Sequence, residues 1–285
     1  DCKAIIDWAN KSKTTIIIRG AGSGTTGGAS ALSQSVVVCF DKMNKILDFD
    51  KKNATLSLEP GVIIKTVHDL VESKGLFYPP DPASLAMCTI GGNVAENAGG
   101  PRALKYGVTR DYIIGLKGYW ANGEPFSYGG KLKKNVAGYD LISLIVGSEG
   151  TLALITEITL KLIPKPPVIM EALSTFKSAK DALDTLIRVK QLGINPATAE
   201  FMTDICVDAA LSYTNETPQF KLNKAYIIWQ FDGITDNDVF DQLIQVRNLC
   251  GDSTWFPMDS IQRADHVWRI RRNISLGLKM LAGKK

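Results

Sequence analysis

Thr14-Thr15-Ile16-Ile17-Ile18-Arg19-Gly20-Ala21-Gly22-Ser23-Gly24-Thr25-Thr26-Gly27-Gly28 decides the fold. The β-branched run Thr14–Ile18 reads as a buried strand. Glycines at the density that follows let a backbone approach a ligand closely and turn several N–H groups towards it, as in loops that cradle phosphates. The bland alternative is a surface loop that needs only flexibility. Gly22-x-Gly24-x-x-Gly27 also spells the dinucleotide fingerprint, with Asp41 near the place of the ribose acid. That fingerprint has to open a helix. Here Val36 starts a new strand eight residues after Gly28, which leaves no room for the usual crossover of a dozen or so residues. No Lys-Ser/Thr follows the glycines, so a Walker A loop is excluded.

Two more clusters lie downstream. One is Pro79-Pro80-Asp81-Pro82-Ala83-Ser84 with Cys88-Thr89-Ile90-Gly91-Gly92-Asn93-Val94-Ala95-Glu96-Asn97-Ala98-Gly99-Gly100, and the other is Gly147-Ser148-Glu149-Gly150-Thr151-Leu152. Any one could be a tight turn. Three in one domain suggest an extended anionic ligand wrapped largely by main chain. Between and around them, Val36–Phe40, Ile46–Asp50, Ala54–Glu59 and Leu152–Leu162 read as strands, and Val62–Lys74 as a helix ending at Gly75. Tyr112–Tyr119 and Glu124–Tyr128 flank Asn122-Gly123, a hairpin signal. Asp1 opens directly into a helical pattern with Cys2, Ile5, Ile6 and Ala9 on one face, which predicts a strand missing upstream. Pro164-Lys165-Pro166-Pro167 is the linker. Beyond it strands alternate with helices, ending in a helix over Ile261–Leu281.

Composition narrows the function. The 285 residues point to two domains. Hydrophobic residues at 45% exclude disorder, and a net charge of +4 is too small to argue for nucleic acid. Five dispersed cysteines without a CxxC imply reduced thiols and a cytoplasmic setting. Only two histidines occur, His68 and His266, in unrelated segments. This excludes a zincin motif and predicts no metal site. No segment reads as a membrane span.

Arg19–Gly28, Glu59-Pro60-Gly61-Val62, Pro80–Gly100 with Pro101-Arg102-Ala103-Leu104-Lys105-Tyr106-Gly107, Lys134-Asn135-Val136-Ala137-Gly138-Tyr139-Asp140-Leu141, and Gly147–Leu152 occur in this order. Together they resemble the FAD-linked oxidases of the vanillyl-alcohol-oxidase (PCMH) type, in the branch of glycolate oxidase FAD subunits and D-lactate dehydrogenases. The resemblance implies an α+β fold. A two-lobed FAD-binding domain over 1–165 would be followed, over 168–285, by a truncated cap with an antiparallel sheet. It implies that Arg19, Gly20, Ala21, Gly22, Ser23, Gly24, Thr25, Gly27 and Gly28 bind the FAD pyrophosphate. It places Pro80, Asp81, Thr89, Gly91, Gly92, Asn93, Asn97, Gly99 and Gly100 around the cofactor, and Glu149, Gly150, Thr151 and Ile155 along the flavin and its ribityl and adenosine arms. Some members tether FAD through a His in the first loop. Ser23 stands there, so the resemblance implies a non-covalent cofactor.

Trp268-Arg269-Ile270-Arg271-Arg272-Asn273-Ile274-Ser275 is similar to the segment of D-2-hydroxyacid dehydrogenases that contacts the substrate carboxylate. By position the contacts are Arg271 and Ser275, which are i, i+4 on one helix face. Arg269 and Arg272 would point away. The alternative is a solvated basic helix. Relatives carry metal-binding and catalytic histidines further on, so the catalytic base is expected beyond Lys285. His68 is expected to be a half-buried helical residue. The implied activity is oxidation of a small D-2-hydroxy acid, with electrons passed to an iron–sulfur subunit, an electron-transfer flavoprotein or a respiratory acceptor. Such an acceptor would place the protein at the periphery of the inner membrane. The alternative is a catalytically incomplete FAD-binding subunit that relays electrons or assembles with a partner.

Overall fold

The computed structural model describes residues 1–132, 134–251 and 254–283. The chain divides into two compact units, Asp1–Gly100 with Gly107–Lys165, and Pro101–Tyr106 with Pro166–Lys285. It has the mixed α and β composition, with antiparallel sheets, of an α+β protein.

The first unit opens with α1 (Cys2–Ser12), which buries Ile6 and Ala9 and ends where Lys13 turns left-handed. β1 (Thr15–Arg19) and β2 (Ser35–Cys39) follow and pair in parallel, Thr15 opposite Ser35 through Arg19 opposite Cys39. This corrects the reading that the glycine loop leaves no room for a crossover. Residues 20–34 make the crossover without any helix. The dinucleotide fingerprint still fails, because no helix follows its glycines.

An antiparallel sheet forms the rest of this unit in the order β3 (Ile46–Asp50), β4 (Thr55–Leu58), β8 (Ala153–Lys161), β6 (Ile113–Trp120) and β7 (Pro125–Gly129). Leu56 faces Leu160, Leu58 faces Ile158 and Ile158 faces Leu116, all fully buried. The hairpin between β6 and β7 turns on Gly123 at φ 86°, a conformation that favours glycine. Short β5 (Leu76–Phe77) and β9 (Ile163–Pro164) pair with each other. The helices are α2 (Ile64–Glu72), α3 (Ile90–Glu96) and α5 (Leu141–Ile145), the last capped by the Asp140 carboxylate accepting from Ser143 N. The segment between, with α4 (Ala103–Tyr106), belongs to the second unit.

That second unit is an antiparallel sheet in the order β11 (Thr198–Thr203), β12 (Ala225–Gly233), β10 (Val168–Phe176) and β13 (Thr254–Pro257). Its helices are α6 (Ala179–Gln191), α7 (Asp204–Thr214), α8 (Asp236–Leu249) and α9 (Ile261–Leu281). β12 is covered on both faces, so it reads as an apolar run rather than an alternation. Ile227, Trp229 and Phe231 pack with α6 and α8 through Val189, Val239 and Val246. Tyr226 and Ile228 pack with α7 and α9 through Val207, Ile270 and Ile274. The second face turns polar at its other end, where Glu171, Gln230, Asp232, Thr198 and Glu200 follow in register.

α7 and α9 meet at Gly277. A Cβ there would lie 2.3 Å from Ala209 O and 2.9 Å from Ala210 N. At an exposed helix position Gly→Ala gains roughly 1 kcal/mol. Here the added methyl meets backbone, and overpacking of this kind costs ~1–3 kcal/mol. Gly277→Ala is therefore expected to lower stability in a urea titration. A variant as stable as the parent would show that the helices can separate at no cost.

Candidate functional site

The three glycine-rich clusters meet in the first unit. β1 ends at Arg19, and a Cβ on Gly20 would stand 2.3 Å from Thr89 Oγ1. Thr89 is the N-cap of α3, and its hydroxyl accepts from Gly92 N. Gly20 is thus pressed against a helix start, where unpaired N–H groups collect. Further along, Thr26 Oγ1 donates to Glu96 at 3.2 Å. Cβ atoms on Gly24 and Gly28 would come within 3.3 Å of the Glu96 and Glu149 carboxylates.

The third cluster is tied to the second by main chain. Gly147 N donates to Val94 O at 2.9 Å and Glu149 N to Ala95 O at 2.8 Å. Asn97 and Glu149 are left-handed, at φ 49° and 53°. Such residues cost of order 1–3 kcal/mol and persist only where the surroundings hold them. Asn97 is held by its Oδ1, which accepts from Arg110 N at 2.9 Å, while Arg110 donates to Val146 O at 2.8 Å. Gly150 lies against Ile18 of β1.

The Pro80 segment is fixed from below. His68 Nε2 lies 2.9 Å from Pro80 O. His68 is buried, which corrects the expectation of a half-buried residue. A Cβ on Gly100 would stand 2.5 Å from Asp81 O, and one on Gly91 would stand 2.6 Å from Pro60 Cβ. Cys88 is buried beside Thr89, and burial pushes its thiol pKa up, away from nucleophilic use. Among the expected residues, Ala21, Gly22, Ser23, Thr25, Gly27 and Gly99 lie in these same segments. Thr151 Oγ1 donates to Ser148 O, and Ile155 sits in β8 opposite Gly118. Glu96 was not singled out from sequence. An acidic residue between two positions read as cofactor contacts was the available signal.

Arg271 and Ser275 lie on α9 in the second unit. Ser275 is exposed. Arg271 is only partly exposed, and it is engaged. Its Nε donates to Glu200 Oε2 at 2.5 Å, and an Nη reaches the same oxygen. Arg269 pairs instead with Glu216 at 2.7 Å, and Arg272 is exposed. His266 is buried with its Nδ1 3.0 Å from Glu216. Among the described residues no group of three or more His, Cys, Asp or Glu could hold a metal ion, and no helix is long and apolar enough to cross a membrane.

Residues 1–129 match the FAD binding domain, and residues 165–285 match the C-terminal domain of FAD linked oxidases. The chain is 47% identical over 198 residues to glycolate oxidase subunit GlcD of Bacillus subtilis (strain 168), covering 70% of this chain and 42% of that protein. It is 33% identical to a D-lactate dehydrogenase of Anaerostipes hadrus, covering 94% of this chain and 58% of that protein. It is 32% identical to a D-2-hydroxyglutarate dehydrogenase of Xanthomonas citri pv. viticola, covering 98% of this chain and 59% of that protein. The chain thus spans about half the length of these relatives. In fold it is similar to p-cresol methylhydroxylase with substrate bound (TM-score 0.78, 18% identity, 97% of this chain and 61% of that one). Alkyldihydroxyacetonephosphate synthase is also similar (TM-score 0.74, 21% identity, 95% and 53%). With three glycine-rich segments gathered in one unit, an FAD binding domain matched over residues 1–129 and the C-terminal domain of FAD linked oxidases matched over residues 165–285, the chain belongs to the FAD-linked oxidases.

Proposed function

We propose that this chain holds FAD non-covalently and is the flavin- and carboxylate-binding part of an oxidoreductase acting on a small D-2-hydroxy acid such as D-lactate or glycolate. In this reading 1–165 is the FAD-binding domain and 168–285 the cap. Electrons leave to a partner, an iron–sulfur subunit, an electron-transfer flavoprotein or a respiratory acceptor. The observation that carries the reading is the convergence of the three clusters at Gly20, Thr89, Glu96 and Glu149.

The residues present fit FAD. Asn93 Nδ2 is buried without a hydrogen-bond partner among the described residues, and the Cys88 thiol beside it is only a weak acceptor. Buried donors are rarely left without a ligand, ion or water to meet them, and a ligand amide or hydroxyl acceptor would meet this one. Backbone N–H groups of Gly20–Gly24 and the Arg19 guanidinium suit the pyrophosphate. Glu96 and Glu149 are acceptors only, so they suit hydroxyl groups of the ribityl and ribose parts rather than phosphate. When bound, the isoalloxazine supplies a hydride acceptor at N5 for the substrate Cα–H. Arg271 orients the substrate carboxylate, and Ser275, one turn on, offers a hydroxyl. Ser23 at the tether position has no ring nitrogen to bond the flavin.

Purified protein is expected to show flavin absorbance. Acid precipitation is expected to release all of it to the supernatant. Colour that stays in the pellet would overturn the non-covalent assignment, and a nicotinamide without flavin would overturn the whole reading.

A further inference from the structure

The polar end of the second unit's sheet carries three cations, Arg102, Lys105 and Arg271, and three carboxylates, Glu171, Glu200 and Asp232, each with a hydrogen-bond partner within the unit. Lys105 binds Asp232, whose side chain is 2% exposed, and Tyr106 OH donates to the same carboxylate at 3.0 Å. Glu171 accepts from Trp268 Nε1 at 2.9 Å and Gln230 Nε2 at 2.6 Å, and Arg102 Nε reaches Gln230 Oε1 at 3.4 Å. Glu200 holds Arg271. The patch is therefore electrically balanced before any ligand arrives.

Both bonds from Arg271 end on one oxygen, Glu200 Oε2. A guanidinium has five N–H donors, so Arg271 keeps donors for a second carboxylate while Glu200 grips one edge. Thr198 lies two residues before Glu200 on the same face of β11, opposite Gln230. Its Oγ1 is buried without a hydrogen-bond partner among the described residues. A buried hydroxyl in this state calls for a polar partner, a role that a ligand group at this end of the sheet would fill.

We propose that Glu200 is a specificity-determining residue that makes the Arg271 site accept 2-hydroxy acids with one carboxylate and reject those with two. The inference rests on the reading that Arg271 receives the substrate carboxylate. One ligand carboxylate shares the guanidinium with Glu200 and leaves the patch with a single excess negative charge. A second carboxylate on the same ligand meets Glu200, Glu171 and Asp232, while each cation already faces an acceptor of the protein. Like charges in a partly desolvated site repel strongly enough to lower affinity about tenfold or more. Neutralising Glu200 removes the nearest repulsion to such a ligand and releases Arg271 to it.

The test titrates glycolate and D-2-hydroxyglutarate into the flavin-loaded full chain by calorimetry. The parent is expected to favour glycolate at least tenfold. Glu200→Gln, which keeps shape and an acceptor oxygen, is expected to bring the two affinities within about threefold by tightening the dicarboxylate. Glu200→Asp keeps the charge and is expected to restore the parent's preference, which separates charge from packing. Arg271→Ala is expected to abolish binding of both. A preference unchanged in Glu200→Gln overturns the role of Glu200 while leaving that of Arg271. A parent that binds both acids equally overturns it too. Undiminished binding in Arg271→Ala overturns both assignments.

Discussion

Gly91→Ala is expected to lose bound FAD by at least tenfold, while Gly75→Ala keeps it. The two glycines differ in what surrounds them. Gly75 turns left-handed at φ 76° with nothing within 4 Å of the added methyl. Alanine there strains its own backbone and moves no neighbour. Gly91 lies in the first turn of α3 and donates its N–H to Pro60 O at 2.8 Å. A Cβ on it would sit 2.6 Å from Pro60 Cβ and 2.9 Å from Pro60 O. The helix start must then back away from Pro60, carrying Thr89, Gly92 and the buried Asn93 with it. Overpacking costs ~1–3 kcal/mol, and each ~1.4 kcal/mol taken from the cradle is a tenfold loss of affinity. Flavin content per protein after gel filtration, read from absorbance, decides the matter. Parent-level flavin in Gly91→Ala would show that α3 does not position the cofactor.

Much of this arrangement is legible in the sequence because its signals are local. A β-branched run marks β1, the Asn122-Gly123 turn marks the hairpin, and Ile261–Leu281 is found at the bounds read from its pattern. The glycine clusters mark the segments proposed to hold the cofactor, because only glycine permits the close approaches seen at Gly20, Gly91 and Gly100. What the sequence hides is long-range. The parallel pairing of β1 with β2 is invisible because a helix-free crossover leaves no periodic trace. The partnership of Arg271 with Glu200 joins residues 71 positions apart, and a spacing rule sees only one helix face. Burial of His68 follows from α2 packing its polar ring nitrogen against Pro80 O, a carbonyl that no side-chain pattern reveals.

The segment Pro101–Tyr106 shows the same limit and carries the second large effect. Its residues are conspicuous in the sequence, yet nothing local says that Pro101–Tyr106 leaves the first unit at Gly100 to dock on the sheet of the second. Lys105 makes that docking costly to undo. Its Nζ binds the Asp232 carboxylate and donates to Asp232 O at 3.0 Å. The Asp232 side chain is 2% exposed, while Lys105 is 25% exposed. Lys105→Ala leaves a buried carboxylate with Tyr106 OH as its remaining donor from this segment. Removing one partner of a buried ion pair costs ~3–5 kcal/mol, and water entering where Lys105 was partly exposed lowers that to about 3 kcal/mol. Replacing both partners with apolar groups of similar size is often close to neutral, so Lys105→Met with Asp232→Leu is expected to recover most of the loss. Urea unfolding of the single and double variants measures both. A single variant within about 1 kcal/mol of the parent, against the buried-pair figure, would mean that water already solvates Asp232. A double variant no better than the single would mean that the segment docks through Tyr106 and Arg102 rather than through this pair.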